Sequence, residues 1–532
     1  MSSTGNAAAK ANPFAPFAHR AFVLLWTAAL ISNIGTWMHE VGAGWLMTEL
    51  SPSPAVVTLV QAATSLPIFL FVLFAGALAD RLDKRRMLIV INLLLFVVIA
   101  VLAVLVRADR VTPTVLLLFT VVIGTGAAFM APAWQAVVPT LVPRSELRAA
   151  IGLNSMGINV SRAIGPAIAG ILIASVGLAA PFALNAASHL IIIAALILWR
   201  PEVPVVAKRR HLPILQEMAT GLRHVRHNKP MLQTLGRAFA FFISASAFWA
   251  MMPLVARGAD DAGSSLYGFL VATVGVGAVL GALGLPYLQG RLDSHRVVQL
   301  GTLMTATALL AFASSTASAV IIPGAFLGGV AWILVLTSVN VSAQMALPDW
   351  IRARGLAVNL MVFYGAMSAG SLIWGQVASR LSVGSALFAA AIGLVVGLIV
   401  TRKVMLGTAD DVDLAPANAW PEAPPLAEGD SDDAPAVVMI QFQISPADKA
   451  AFVEAAYKVS AERYRDGATR WDLIHDVTDP ASWIEVFHLP SWAEHLQQHA
   501  RTTVSDTELH DALRAFDQRP EGPVVRHFIA ST

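Results

Sequence analysis

Between Phe22 and about Val404, apolar residues run in long stretches separated by short gaps rich in Gly, Pro or charge. Each stretch is long enough for an α-helix to cross a hydrocarbon core of about 30 Å. The pattern predicts twelve spans, at 21–48, 55–79, 87–106, 113–135, 148–175, 178–199, 232–256, 264–289, 295–315, 317–345, 355–380 and 382–403. Residues 200–231 interrupt it. There Ile214, Leu215, Met218, Leu222 and Val225 share one stripe, with Arg223, Arg226 and His227 off it. That spacing predicts an amphipathic helix lying along a membrane surface.

Past 404 the pattern changes again. Residues 405–435 are rich in Ala, Pro, Asp and Glu, which predicts a disordered linker. Val437–Ile444 then alternates as a strand, and Pro446–Arg463 has a helical period with Phe452, Ala456 and Val459 inward. Arg470–Val477 and Ser482–Leu489 read as strands around an Asp479-Pro480 turn. Trp492–His499 and Thr507–Phe516 read as helices, and Val524–Ile529 as a last strand. The order β-α-β-β-α-β predicts a small α+β ferredoxin-like domain. The expected fold class is therefore all-α membrane, two six-helix bundles (21–199 and 232–404), with a tail at 1–20, a cytoplasmic linker at 200–231 and a soluble domain at 436–532.

Composition agrees with this reading. Of 532 residues 56% are apolar and 13% charged, about half the charge an ordinary soluble fold carries. The net charge of +2 gives no argument for nucleic acid, and the absence of Cys excludes disulfides and thiolate metal sites. Charge placement matters more. Arg81, Lys84, Arg85, Arg86, Arg144, Arg148, Lys208, Arg209, Arg210, Arg223, Arg226, Lys229, Arg291, Arg296, Arg352 and Arg354 fall in the even-numbered gaps. The odd-numbered gaps hold only Arg107, Arg110, Arg257 and Arg380. Basic loops stay on the cytoplasmic side, so both termini are expected in the cytoplasm, across the inner (plasma) membrane. Residues 1–20 lack the apolar core of a signal peptide and read as a cytosolic tail.

The two halves repeat. Asp80-Arg-Leu-Asp-Lys-Arg-Arg86 realigns with Gly290-Arg-Leu-Asp-Ser-His-Arg296. Pro143 to Asn154 has the spacing of Pro348 to Asn359, and Gly165 and Gly170 match Gly370 and Gly375. Two copies in the same order imply parallel pseudo-symmetric halves with a substrate site between them near the bilayer midplane.

Candidate chemistry concentrates on the first span. Asn33, Trp37, Glu40 and Gly44 lie at i, i+4, i+7 and i+11, one helical face. A carboxylate at Glu40's depth is costly and faces a cavity, a partner or a proton. It could exchange a proton during a transport cycle, or form a structural ion pair. His39 points about 100° away and reads as a packed neutral imidazole. Arg162, deep in the fifth span, could pair with Glu40, attract an anionic substrate, or be structural. Gly165, Pro166 and Gly170 read as a close-packing surface. Trp249 corresponds to Trp37 in the second half; with Phe241, Phe248, Tyr364 and Trp374 it could line an aromatic cavity or simply pack. Arg237 reads as a snorkelling cation. In the soluble domain His495 and His499 sit four apart on a helix, a metal-compatible spacing, but no Glu completes an HExxH pattern, and a surface or dimer-interface role is expected instead. No metal or other cofactor is expected. With no phosphate-binding Gly-rich loop in the right context, an ATP-driven pump is disfavoured.

The string Gly76-Ala-Leu-Ala-Asp80-Arg81-Leu-Asp-Lys84-Arg85-Arg86 resembles the signature loop of the major facilitator superfamily, with Asp83 where that signature usually has Gly. Ser32-Asn33-Ile-Gly35-Thr-Trp37-Met and Arg162-Ala-Ile-Gly165-Pro166 look like its transmembrane secretion effector branch, which contains enterobactin-type exporters. Arg463-Tyr-Arg-Asp466-Gly467-Ala-Thr-Arg-Trp471 and Ser491-Trp492-Ala-Glu494-His495-Leu-Gln-Gln-His499-Ala-Arg501 resemble the dimeric α/β barrel of antibiotic-biosynthesis monooxygenases. The first likeness implies proton-coupled export of a small amphipathic molecule, such as a siderophore, antibiotic or drug. It also implies a conformational latch built on Gly76, Asp80, Arg81, Arg85 and Arg86, with Asp80 near Arg354 and Gly355. The second leaves open whether the tail is a cofactor-free monooxygenase or a dimerisation or cargo-sensing module, with a homodimer possible through it.

Overall fold

Among the described residues, thirteen α-helices precede the soluble domain. They are α1 (Arg20–Leu50), α2 (Pro54–Arg81), α3 (Lys84–Arg107), α4 (Pro113–Val137), α5 (Leu147–Ser175), α6 (Ala179–Leu198), α7 (Ile214–Arg226), α8 (Lys229–Gly258), α9 (Ser264–Gln289), α10 (Ser294–Ser314), α11 (Ser318–Met345), α12 (Arg352–Arg380) and α13 (Val383–Val400). This computed structural model describes residues 13–200, 214–348, 350–406, 417, 424–426 and 430–530, with the side chains of Asp80, Arg144, Arg148, 214–217 and Ala500 excepted. Most of the linker expected at 405–435, the first part of the tail, and Lys208, Arg209 and Arg210 lie outside the described residues.

All helices but α7 are long and apolar enough to cross a membrane, twelve among the described residues. Their starts follow from local chemistry. Pro54 and Pro113 begin α2 and α4, where a missing N–H costs nothing. Asp83 and Asp293 cap α3 and α10, accepting from the backbone N–H of Arg86 at 2.8 Å and Arg296 at 2.7 Å. The repeat seen in the sequence is thus the same cap built twice, and it gives Asp83 a role that Gly could not fill. Burial inverts the soluble rule. On α3, Leu88, Asn92, Leu95, Ile99 and Leu102 are buried, whereas Val90, Leu94, Val97, Val101 and Val104 are exposed, as a lipid-facing stripe requires.

The C-terminal elements are β1 (Ala436–Gln443), α14 (Lys449–Arg465), β2 (Arg470–His475), β3 (Ser482–Leu489), α15 (Trp492–Arg501), α16 (Val504–Arg514) and β4 (Val524–Ile529). The sheet order is β2-β3-β1-β4, with every neighbouring pair antiparallel. This is the expected ferredoxin-like arrangement. Its core is Val438, Ile440, Phe442, Phe452, Val459, Phe487 and Leu489, from the inward faces of β1, α14 and β3.

The chain divides into two compact units. One holds 1–214, 236–339 and 360–405; the other holds 215–235, 340–359 and 406–532. In the second unit the soluble domain is built together with α7, the first turns of α8 and the segment joining α11 to α12. There Val225 of the predicted stripe is buried and Met218 is partly so, but Leu222 is half exposed, and Thr220, Gly221 and His224, off the stripe, are buried. Trp350 and residues of α14's C-terminal end cover that face, partners that local periodicity cannot reveal.

Candidate functional site

Within the first unit, α1, α2, α3, α4, α6, α8 and α9 surround a cavity of about 140 Å³. Trp37, Glu40 and Gly44 of α1 line it; Asn33, on the same face, does not. Glu40 is enclosed by the bundle, yet its side chain is exposed because it faces this space. The opposite walls carry Gln61 and Thr64 of α2, Asn185 and His189 of α6, Trp249 and Pro253 of α8, and Tyr267 of α9. The Tyr267 hydroxyl comes so near Gly44 that a Cβ there would stand 2.8 Å from it. A glycine one turn from Glu40 is what lets the phenol reach in.

Arg162 lies over the Trp37 ring, 5.2 Å from guanidinium carbon to ring centroid, a cation–π contact. Among the described residues no direct ion pair joins it to Glu40, although the two charges feel each other. Of the roles open to Arg162, packing against Trp37 is the one on view. Trp37 faces Trp249 at 6.4 Å between centroids, and Trp249 meets Trp332 edge-on at 5.5 Å.

Other expected aromatics sit elsewhere. Phe241 and Phe248 are buried, Phe248 stacked on Phe312 at 5.2 Å, and Trp374 donates to the Ile243 carbonyl at 2.8 Å. These three pack helices and do not line the cavity, and Tyr364 packs edge-on against Phe363. Arg237 does not snorkel: it is buried, donating to the Val404 carbonyl at 2.9 Å and lying 2.5 Å from His295. His39 is buried edge-on against Phe182 and also borders the cavity. The signal for the missed residues was available: Asn185 and His189 are polar groups at i, i+4 in an apolar span, and His189 is held by Asn92 at 2.8 Å.

Glycines mark where helices close. A Cβ on Gly165 would stand 2.6 Å from Trp37 and 2.9 Å from the Ile34 carbonyl. Gly170 meets Gly268 backbone to backbone beyond Pro166, whose carbonyl also abuts Gly268, and Gly375 meets Thr58. At the other ends, Gly76 on α2 and Gly152 on α5 have no atom within 4 Å of a Cβ position.

In the basic loop, Arg85 donates to the carbonyls of Leu196 at 2.7 Å and Ile197 at 2.9 Å. A cation there satisfies the orphan carbonyls of α6 and suits its negative end. Arg86 contributes its backbone N–H to the Asp83 cap, and Arg81 is half buried at the end of α2. The latch expected of Asp80 falls on a side chain outside the described ones.

Residues 11–532 match the family described as transmembrane secretion effector, a match that continues through the soluble domain. The multidrug efflux pump Tap of Mycolicibacterium fortuitum is 27% identical over 412 residues, 74% of this chain and 97% of that protein. The staphyloferrin A transporter of Staphylococcus aureus is 23% identical over 292 residues, 54% of this chain and 72% of that protein. Among solved structures, the nucleoside transporter NupG superposes with a TM-score of 0.60 at 14% identity, over 73% of this chain and all of that one. A bacterial homolog of the lysosomal transporter Spinster, inward-facing and unoccupied, gives 0.57 at 15%, over 72% and 95%. The structural likenesses fix the major facilitator fold, with its twelve spans around a central cavity. With the family match, they establish that this chain is a multi-pass membrane transporter belonging to the transmembrane secretion effector family.

Proposed function

We propose that the protein exports a small amphipathic molecule from the cytoplasm in exchange for protons, with Glu40 as the proton-carrying group. The observation that carries the reading is Glu40 itself: a carboxylate deep in an apolar bundle, open to a cavity and without a direct ion pair among the described residues. A charge in that setting is retained for function far more readily than for stability. Trp37 and Trp249 offer flat apolar faces to the cargo, and Gln61, Asn185 and Tyr267 offer hydrogen bonds. The relatives named as a siderophore transporter and an efflux pump support a cargo of this kind and the outward direction.

The cycle follows from alternating access. Cargo enters from the cytoplasmic side, where Gly76 and Gly152 leave the helices apart; closure there opens the side now sealed by Gly170, Gly268 and Gly375. A proton taken up by Glu40 from outside discharges the carboxylate, and its release inside resets the site. In this reading both termini lie in the cytoplasm, which the excess of basic residues in the even-numbered loops supports. Substituting Glu40→Gln is expected to leave folding and cargo binding intact and to abolish transport driven by a pH gradient in inverted vesicles. Gradient-driven transport unchanged in that variant overturns the assignment.

A second reading concerns the soluble domain, as a module that acts on the transporter and not as an independent enzyme. It is favoured by what the domain buries. Arg223 of α7 donates to the Gly467 carbonyl at 2.6 Å, His227 stacks on Tyr464, and Arg501 lies 4.3 Å over the Trp350 ring. These contacts join it to the segments on either side of α8 and α12.

A further inference from the structure

Helix α15 places His495 and His499 on one face, as a spacing of four requires. What periodicity could not supply is the third imidazole. Strand β4, the edge of the sheet beside β1, brings His527 against the same pair. The ring of His495 lies 4.6 Å from that of His499 and 4.8 Å from that of His527, and one ligating nitrogen from each of the three falls within 4.8 Å of the others. Trp492 closes the cluster, 5.0 Å from His495 and 5.8 Å from His527.

His495 makes this more than a chance grouping. Its side chain is buried, at 2% exposure, and neither ring nitrogen has a hydrogen-bond partner. A buried polar group left so is costly, which favours a ligand that uses it. The domain's other cluster of metal-compatible groups, Glu462, Asp466 and Asp506, provides the contrast. There Arg465 reaches Asp466 at 3.1 Å and Asp506 at 2.7 Å, and His510 reaches Glu462 at 2.9 Å. Those carboxylates already have cations.

We propose that His495, His499 and His527 form a three-imidazole site for a divalent late-transition-metal ion such as zinc. Three neutral nitrogens with no carboxylate in the set select borderline ions over magnesium or calcium, and leave a fourth position for water or a ligand. With metal–nitrogen bonds of about 2.0–2.1 Å, tetrahedral ligands stand about 3.3 Å apart, so the cluster contracts on binding. His499 and His527 are only half buried, and rotation of their rings supplies that movement. The helix bearing two of the ligands also bears Arg501, whose guanidinium covers Trp350, so a bound ion braces the helix that contacts the α11–α12 segment.

The test uses the full-length protein in detergent, without a polyhistidine tag, titrated with cobalt(II) and followed by its visible d–d absorption, with zinc as competitor. The expected result is one saturable ion per chain in a tetrahedral environment, displaced by zinc. His527→Ala should weaken binding about 100-fold or more, beyond the 10–100-fold typical of losing a mere supporting group. His495→Ala should do the same; because His495 is buried, His527→Ala decides the matter if that variant misfolds. His475→Ala, at an exposed position on β2, should bind as the parent does. No saturable cobalt spectrum, or equal affinity in the parent and His527→Ala, overturns the proposal.

Discussion

Carboxylates are enclosed in two regions of this molecule, on opposite terms. In the bundle a single one, Glu40, faces a cavity, and the guanidinium within its reach, Arg162, rests on Trp37 instead of forming an ion pair. Among the described residues of the soluble domain five are buried, and each has a cation or imidazole at close range: Arg463 to Glu485 at 3.0 Å and to Glu462 at 3.6 Å, Arg465 to Asp466 and Asp506, His510 to Glu462, and Arg501 to Glu494 at 2.6 Å. An acid left facing a cavity is available for function; one packed against a cation or imidazole is part of the scaffold. Substitution should therefore separate function from stability in opposite directions. Whereas Glu40→Gln should cost transport and little stability, Arg463→Ala strands Glu485, which is 1% exposed, and should destabilise the domain by about 3–5 kcal/mol. Hydrogen exchange would show lost protection in α14 and β3 with α1 to α6 unchanged. Protection retained in α14 would place these pairs among the dispensable ones and erase the contrast.

The pH response sharpens the same comparison. Asp466 is raised to about 7, chiefly by burial, with Glu462 and Asp506 adding to the push and Arg465 opposing it. Burial also acts on Glu462, but Arg463 and His510 outweigh it and hold that group low, so of the two it is Asp466 whose hold on a proton is strengthened. His224 of α7, 4.0 Å from Asp466, is held neutral by burial, and Arg501 donates to the Asp466 carbonyl at 3.1 Å. The folded domain thus binds this proton more tightly than an unfolded chain, whose Asp titrates near about 4. Its contribution to stability is full below about pH 4 and is lost as pH rises to about 7. Corrected for intrinsic rates, protection of α14 and α16 should be greater at pH 5 than at pH 8, and Asp466→Asn should flatten the difference. Equal protection in the parent at both values would mean that the proton is not there.

Why some of this was legible in the chain and some was not follows from the range of the forces involved. Lipid demands unbroken apolar runs, so each of the twelve spans declares itself locally, and α9 at Ser264–Gln289 coincides with the predicted 264–289. The β-α-β-β-α-β domain is legible for the same reason, since period two and period 3.6 are local signals. Trp37 and Glu40 could be picked out because one helix face carries both. Tyr267, Gln61 and His189 meet them from three other helices, and His527 reaches His495 only through the pairing of β4 with β1. The burial of α7 beyond its apolar stripe has the same origin. Its apolar stripe is a local pattern, but His224 is buried by Asp466 and Trp350, more than a hundred residues away in sequence.

The smallest effect tests whether the two halves are equivalent at their most similar point. Asp83 and Asp293 each accept one backbone N–H at the start of the third helix of their half, at 2.8 and 2.7 Å. As caps alone they are interchangeable, and Asp→Ala at either should cost about 1 kcal/mol. Their surroundings differ. Beside Asp83, Arg85 is tied to the carbonyls of α6; in the second half the matching position is His295, which meets Arg237 and Gln299. Losing the Asp83 cap should therefore loosen a helix end that Arg85 still anchors, while losing the Asp293 cap frees an end whose neighbour is another buried cation. We expect the thermal midpoint of Asp293→Ala to fall further than that of Asp83→Ala, by a degree or two for a difference of about 0.5 kcal/mol. If the order is reversed, the Arg85 contacts are not the anchor they resemble, and the basic loop of the first half owes its strength to the side chain of Asp83.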